Sequence, residues 1–235
     1  MRNCGFKLAK IGFEAGNDED LKIYNKRASL QQNIETMELL EKYDIYTGFI
    51  GFIMFNPYTT RNKLTLNYRF LSNANICYIS KYTSILMISK DTEIFCRAKR
   101  DDLLTYEGEF YQDEGFSYKF EQPDIREIYE FVKTYLNAEE VWKLSERCEN
   151  SANFIFSFYE FVENGDAYKN KMMEILKKNA DVLKSYFFHL YEKFNVKVCE
   201  DMFPKMINQY SENVQELSSL RYSLYKKYIK ISTLK

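Results

Sequence analysis

Proline and glycine are scarce in this chain of 235 residues, at three and eight, and histidine is represented once. So few breakers exclude a collagen-like or low-complexity chain and leave room for long helices. The lone His189 sits in an amphipathic segment among Phe187, Phe188 and Tyr191 and reads as a packed or surface residue rather than a catalyst. There is no Walker loop, no zinc spacing and no Ser/His/Asp triad. Charge of one sign is also lacking: 33 basic residues face 34 acidic ones, for a net charge of −1. Bulk charge therefore recruits neither nucleic acid nor an anionic membrane. Long apolar runs are missing too. The longest, Phe49–Phe55, has the length of a strand rather than of a membrane span. The five cysteines, Cys4, Cys77, Cys96, Cys148 and Cys199, are widely and irregularly spaced, with no C-x-x-C and no C-x-x-x-C-x-x-C. An odd number without an apolar leader segment points to free thiols and a cytoplasmic protein.

What is abundant is apolar and aromatic. Hydrophobic residues make up 46% of the chain, enough for a sizeable core, and Tyr and Phe number 20 and 19. Residues Leu8–Phe13 read as a short buried strand. Asn17 or Asp18 then N-caps a helix with Glu19 and Asp20 in its first turn. Ser29 caps a second helix to about Tyr43, with Ile34, Met37 and Leu40 at helical spacing. Ile45–Phe55 is continuously apolar, as expected of a parallel strand covered on both faces. Pro57 stops it, and Thr59 or Thr60 caps a helix bearing Leu64, Leu66, Phe70 and Leu71. Another strand is expected near Tyr82–Ile88. Alternating strands and helices imply right-handed parallel crossovers.

Beyond residue 90 the pattern changes. Short helical pieces are expected over Asp91–Phe95 and Ala98–Leu104, and an aromatic, acidic loop over Tyr106–Phe120. Pro123 opens a helix to Leu136, with Ile125, Ile128, Phe131, Val132 and Tyr135 on one face. Further helices are expected at about 138–148, 151–163, 167–193 and 204–230. The division that follows is an α/β unit over 1–136 and a helical region over 137–235.

Two strand ends carry the motifs. The first is Ile11-Gly12-Phe13-Glu14-Ala15-Gly16, with Asn25-Lys26 closing the helix behind it; the second is Gly51-Phe52-Ile53-Met54-Phe55-Asn56-Pro57-Tyr58-Thr59-Thr60. A carboxylate at a strand end can accept hydrogen bonds from a ribose diol or an amino group, and flanking glycines allow close backbone approach. On residues alone, Glu14 could equally cap the following helix, and Pro57 and Thr60 could be no more than a stop and a cap. Taken together, the motifs resemble the fourth and fifth strands of the radical S-adenosylmethionine (SAM) barrel, and the downstream Leu103-Leu104 and Tyr118-Lys119-Phe120 resemble the tail end of its cobalamin-linked and peptide-modifying members. Ala15 stands where serine is usual. A weaker echo follows in Asp91-Thr92-Glu93-Ile94-Phe95, where relatives carry glycine at the place of Asp91.

The resemblance covers roughly residues 1–135. It implies an α/β fold, a partial (β/α) TIM-like barrel of about three parallel strands followed by a mainly helical C-terminal region. It also implies SAM as cofactor, held by Gly12, Glu14, Gly16, Ile53, Asn56 and Pro57, with Ile53 against the adenine. An intact relative would generate a 5′-deoxyadenosyl radical and abstract hydrogen from, or methylate, an unactivated carbon. The [4Fe–4S] cluster of such enzymes is held by a cysteine triplet on the loop after the first strand, a motif this chain does not carry. The expectation is therefore the C-terminal part of a radical SAM enzyme, truncated or split, with no catalytic or metal-ligating residue of its own, weak or vestigial SAM binding, and no activity alone. Its expected partner is an N-terminal barrel half, or a second copy through an open sheet edge. The alternative is a non-catalytic helical interaction protein on a decayed barrel remnant.

Overall fold

In a computed structural model, residues 6–105 and 116–232 are described. The elements run β1 (Leu8–Glu14), α1 (Asp18–Ile23), α2 (Leu30–Lys42), β2 (Tyr46–Phe52), α3 (Arg61–Asn73), α4 (Ile79–Thr83), α5 (Glu93–Arg100), α6 (Pro123–Phe131), α7 (Glu139–Phe158), α8 (Gly165–Tyr191) and α9 (Val196–Ser232). The molecule is mostly helical, with a small parallel sheet.

The helix starts follow from local chemistry. The Asn17 side chain accepts from the Asp20 N–H at 2.8 Å and caps α1. Ser29 and Gln32 form a reciprocal capping box on α2. Thr60 caps α3, Thr92 caps α5, and Pro123 stands in the first turn of α6.

β1 and β2 pair in parallel, with Gly12 opposite Gly51 and Ile11 opposite Ile50. The third strand expected over Tyr82–Ile88 shrinks to one parallel bridge between Phe55 and Ile85. Ile79–Thr83 is helical instead, because Tyr82 is wholly buried there, stacked on Phe187 at 4.5 Å with its hydroxyl donating to the Ile76 carbonyl. Only Ser84–Leu86 extends far enough to meet Met54 and Phe55, through backbone bonds of 2.8–3.1 Å.

β2 is also not covered on both faces. Ile50, Phe52 and Met54 are buried, whereas Gly51 and Ile53 between them are half-buried. In β1, Ala9 and Phe13 are buried while Lys10 and Gly12 are exposed. One face of the sheet thus packs into the core and the other remains open.

The covered face joins a single hydrophobic cluster. It runs from Phe13, Ile50 and Phe52 through Leu64 and Leu71 of α3 to Ile155 of α7, Leu183 and Phe187 of α8, and Tyr210 and Leu217 of α9. A smaller cluster of Tyr58, Ile88, Ile94, Ala98, Leu103 and Phe116 lies beside it.

The helical half is more continuous than the residues indicate. One helix, α7, replaces the two expected at 138–148 and 151–163, since Cys148, Ser151 and Ala152 are all buried on its inner side. α9 begins at Val196 rather than at Pro204, capped by the Asn195 side chain, which accepts from Val198 N–H at 3.1 Å. Pro204 removes one helical hydrogen bond. The burial of Cys199, Met206, Tyr210 and Val214 on either side of it offsets that loss. α5 likewise replaces two short pieces with one helix. Most of the expected loop over Tyr106–Phe120 lies outside the described residues, as does Cys4.

Candidate functional site

β1 ends on a reversal. Glu14 has φ of 64°, a left-handed conformation rarely taken by non-glycine residues. Its carbonyl accepts from Ile53 N–H at 2.8 Å, which ties the two strand ends together. The turn folds the Glu14 side chain back over the open face of the sheet. A Cβ added to Gly12 would lie 2.3 Å from Glu14 Oε1, and one added to Gly51 would lie 3.5 and 3.6 Å from the two carboxylate oxygens. The opposed glycines thus clear a shallow bed in which the carboxylate rests.

Lys26, at the far end of the same motif, places its Nζ 3.0 Å from Glu14 Oε1. Both side chains reach solvent, at 39% for Lys26 and 22% for Glu14. The pair is an accessible carboxylate and ammonium side by side, able to accept from and donate to one polar ligand. Glu14 does not cap α1, which is the work of Asn17.

The other residues singled out from the sequence fall elsewhere. Gly16 is buried against α3, and its N–H donates to Asn67 Oδ1 at 2.7 Å. A Cβ there would meet Phe70 Cβ at 2.5 Å and the Leu66 carbonyl at 2.9 Å. Asn56 is fully buried with its side chain committed. Its amide donates to Asp20 Oδ1 at 3.1 Å and to the Tyr24 hydroxyl at 2.7 Å, and its oxygen accepts from Tyr58 N–H at 2.8 Å. Pro57 is buried beside it, and Ile53 is half-buried. Gly12 and Glu14 therefore come together on the open face, while Gly16 and Asn56 belong to the scaffold behind it.

That scaffold centres on residues the sequence does not flag. Asp20, wholly buried, lies 3.1 Å from Lys63 Nζ and accepts from Asn17 and Asn56. Asn17 in turn donates to Asn67 Oδ1 at 3.0 Å. Burial first, and then the Asp20 carboxylate, push the Tyr24 phenol well above its ordinary pKa, so it remains a neutral donor and acceptor. Asp20 reads as a helix-dipole residue in the sequence. Its partners Asn56 and Lys63 lie on other elements, so no local pattern connects them.

Cys77, Cys148 and Cys199 are buried and Cys96 is exposed, and no group of three His, Cys, Asp or Glu residues converges among the described residues. No described helix is long and apolar enough to cross a membrane.

The fold is a small parallel sheet backed by helices. Two solved structures of the cobalamin-dependent S-adenosylmethionine radical enzyme OxsB are similar to the chain, both at 15% identity and over 97% of its length. The structure with aqua-cobalamin and SAM bound gives a TM-score of 0.50, and that with aqua-cobalamin alone gives 0.49. The chain spans 38% of the length of that enzyme. No family model matches the chain, and no curated protein matches it.

Proposed function

We propose that this chain forms the C-terminal part of a radical SAM-type barrel and that Glu14, with Lys26, recognises the polar groups of SAM. The observation that carries the reading is the Glu14–Lys26 pair resting over Gly12 and Gly51 on the open face at the carboxyl ends of the strands. Ligands of parallel α/β architectures sit at that end. SAM fits the donor set: its ribose hydroxyls and amino group donate to Glu14, and its carboxylate accepts from Lys26. Half-buried Ile53, bonded through its N–H to the Glu14 carbonyl, offers an apolar neighbour for the adenine. Gly16, Asn56 and Pro57 then act behind the site, shaping the two strand ends.

Under this reading the cluster that activates SAM is ligated by cysteines other than those described here, contributed by an N-terminal barrel half. The chain alone is inactive, and residues 137–235 serve as the helical buttress of the barrel unit 1–136. The free edge of β1, which has no strand beside it among the described residues, is where that half would join.

Ligand-observed NMR of the chain with SAM is expected to show weak binding, on the order of millimolar, since iron ligation and the contacts of the missing strands are lost. Glu14→Ala is expected to abolish it. Micromolar binding indifferent to Glu14→Ala would overturn the proposal.

A second reading, a helical interaction protein, has one observation in its favour. Phe161, just beyond the end of α7, and Tyr222 and Tyr225, on the C-terminal part of α9, are exposed by 57%, 58% and 45%. It calls for no SAM binding at any concentration.

A further inference from the structure

We propose that the space beneath α2 binds a neutral, predominantly apolar molecule bearing an alkyl or prenyl chain. α2 stands off the body of the protein. Asn33 is its one buried residue, and Ile34 and Leu39 are 37% and 52% exposed. Between α2 and the wall formed by β2, α3 and α8 lies a half-open cavity of about 960 Å³. That volume falls in the upper part of the range of small-molecule sites, roughly 300–1,000 Å³.

Its lining is mostly apolar, with Ile34 and Met37 on the α2 side and Tyr46, Phe70, Phe156 and Met173 opposite. It follows α2 from Leu30 to Glu41, about 16 Å of helix at 1.5 Å per residue. A site of that length suits an extended chain better than a compact ring. Met37 and Met173 face it from opposite walls, and thioether side chains adapt readily to a flexible guest.

The polar groups select against charge. The Tyr46 and Tyr78 hydroxyls bond to each other at one wall, and burial pushes both phenols well above their ordinary pKa, so they remain neutral. At the rim, Arg69 holds Glu192 at 2.9 Å, Asp44 pairs with Lys169, and Glu174 pairs with Lys171 and Lys178. Glu38, Glu41 and Lys177 remain, so an anionic head would face two carboxylates and a cationic head the Lys177 ammonium. The lining reaches Gly16 but not Glu14, so the site is separate from the one proposed for SAM.

The test is displacement of the neutral dye Nile red from the whole chain by farnesol or dodecanol, with dodecanoate and a dodecylammonium salt as charged counterparts. Saturable displacement by the neutral compounds is expected, with the charged ones weaker. Met37→Trp and Met173→Trp, which fill the cavity from opposite walls, are each expected to weaken binding by about tenfold or more, with circular dichroism unchanged. The double variant Tyr222→Ser/Tyr225→Ser, which strips the other exposed aromatic surface, is expected to bind as the unaltered protein does. Absence of saturable binding, preference for a charged amphiphile, or loss of binding in the Tyr222/Tyr225 variant alone would overturn the proposal.

Discussion

At the scale of single residues, the two motif glycines next to Glu14 differ in what they confront, and that difference is measurable. A methyl at position 12 collides with the far end of the Glu14 side chain, whereas a methyl at position 16 collides with the Phe70 Cβ and the α3 backbone. A carboxylate can swing away; a helix cannot. Gly12→Ala is therefore expected to leave stability nearly unchanged while displacing Glu14, so SAM binding falls as it does in Glu14→Ala. Gly16→Ala is expected to cost about 1–3 kcal/mol by overpacking. Urea denaturation beside SAM titration separates the two. A second residue-level expectation concerns Glu149. Burial raises its pKa more than the Lys81 ammonium, 3.2 Å away, lowers it. A carboxyl raised in the folded state contributes stability that is full below its unfolded pKa, about 4.3 for Glu, and is lost as pH rises through the folded value. Relative to Glu149→Gln, the unaltered protein is thus expected to lose stability as pH climbs upward from that range. Parallel pH–stability curves for the two proteins would refute this.

At the scale of elements, α2 combines a strong start with a weak attachment. Its capping box satisfies the orphan donors locally, but the cavity beneath it leaves little packing to hold it. Ser29→Ala is expected to cost about 1 kcal/mol of helix stability. Because α2 contributes one buried residue to the body, that loss is expected as faster amide exchange within 30–42 rather than as a lower midpoint of global unfolding. An equal effect on the global midpoint would mean that α2 belongs to the main cooperative unit.

The same elements show how far the residues alone reach. Caps are local, so Ser29 marks its helix, and of the alternatives Asn17 or Asp18 and Thr59 or Thr60 the structure uses Asn17 and Thr60. β1 and β2 are legible as apolar runs stopped by turn residues. The segment Tyr82–Ile88 is not, because an apolar run this short packs equally well as a helical turn, and the aromatic stack with Phe187 from α8 settles which. Pro204 misleads for a related reason: tertiary burial on both sides outweighs one missing hydrogen bond. In the candidate site, Glu14 and Lys26 pair within one motif, of which the resemblance singles out Glu14 and not Lys26 for binding. The Asp20–Lys63 pair joins residues 43 positions apart, and burial drives it rather than any spacing in the sequence. The left-handed φ of 63° at Asp91 is a subtler case. Asp91 occupies a place where the resembled family has glycine, and the backbone keeps the conformation that glycine would favour there.

At the scale of the whole molecule, the sheet is the unfinished part. The helices bury one of its faces in a continuous core, yet Lys10 and Gly12 are exposed on the other, and the edge of β1 away from β2 has no strand beside it among the described residues. Unpaired strand edges template pairing with another chain. An apolar strand such as Leu8–Phe13 has only the exposed Lys10 among its charges to oppose that pairing. Alone in solution, the chain is expected to self-associate as concentration rises, seen by sedimentation velocity. Two surfaces could drive this, and they are separable. If the edge does, amides of β1 gain protection from hydrogen exchange on association, and Tyr222→Ser/Tyr225→Ser leaves the association constant unchanged. If the aromatic face of α9 does, the double variant is monomeric and β1 exchanges as before. The first outcome is expected, because edge pairing satisfies backbone hydrogen bonds as well as burying apolar surface, whereas the tyrosines already reach water through their hydroxyls. A chain that remains monomeric at high concentration would show that the β1 edge needs no partner, and would remove the support this edge lends to a barrel completed by a second chain.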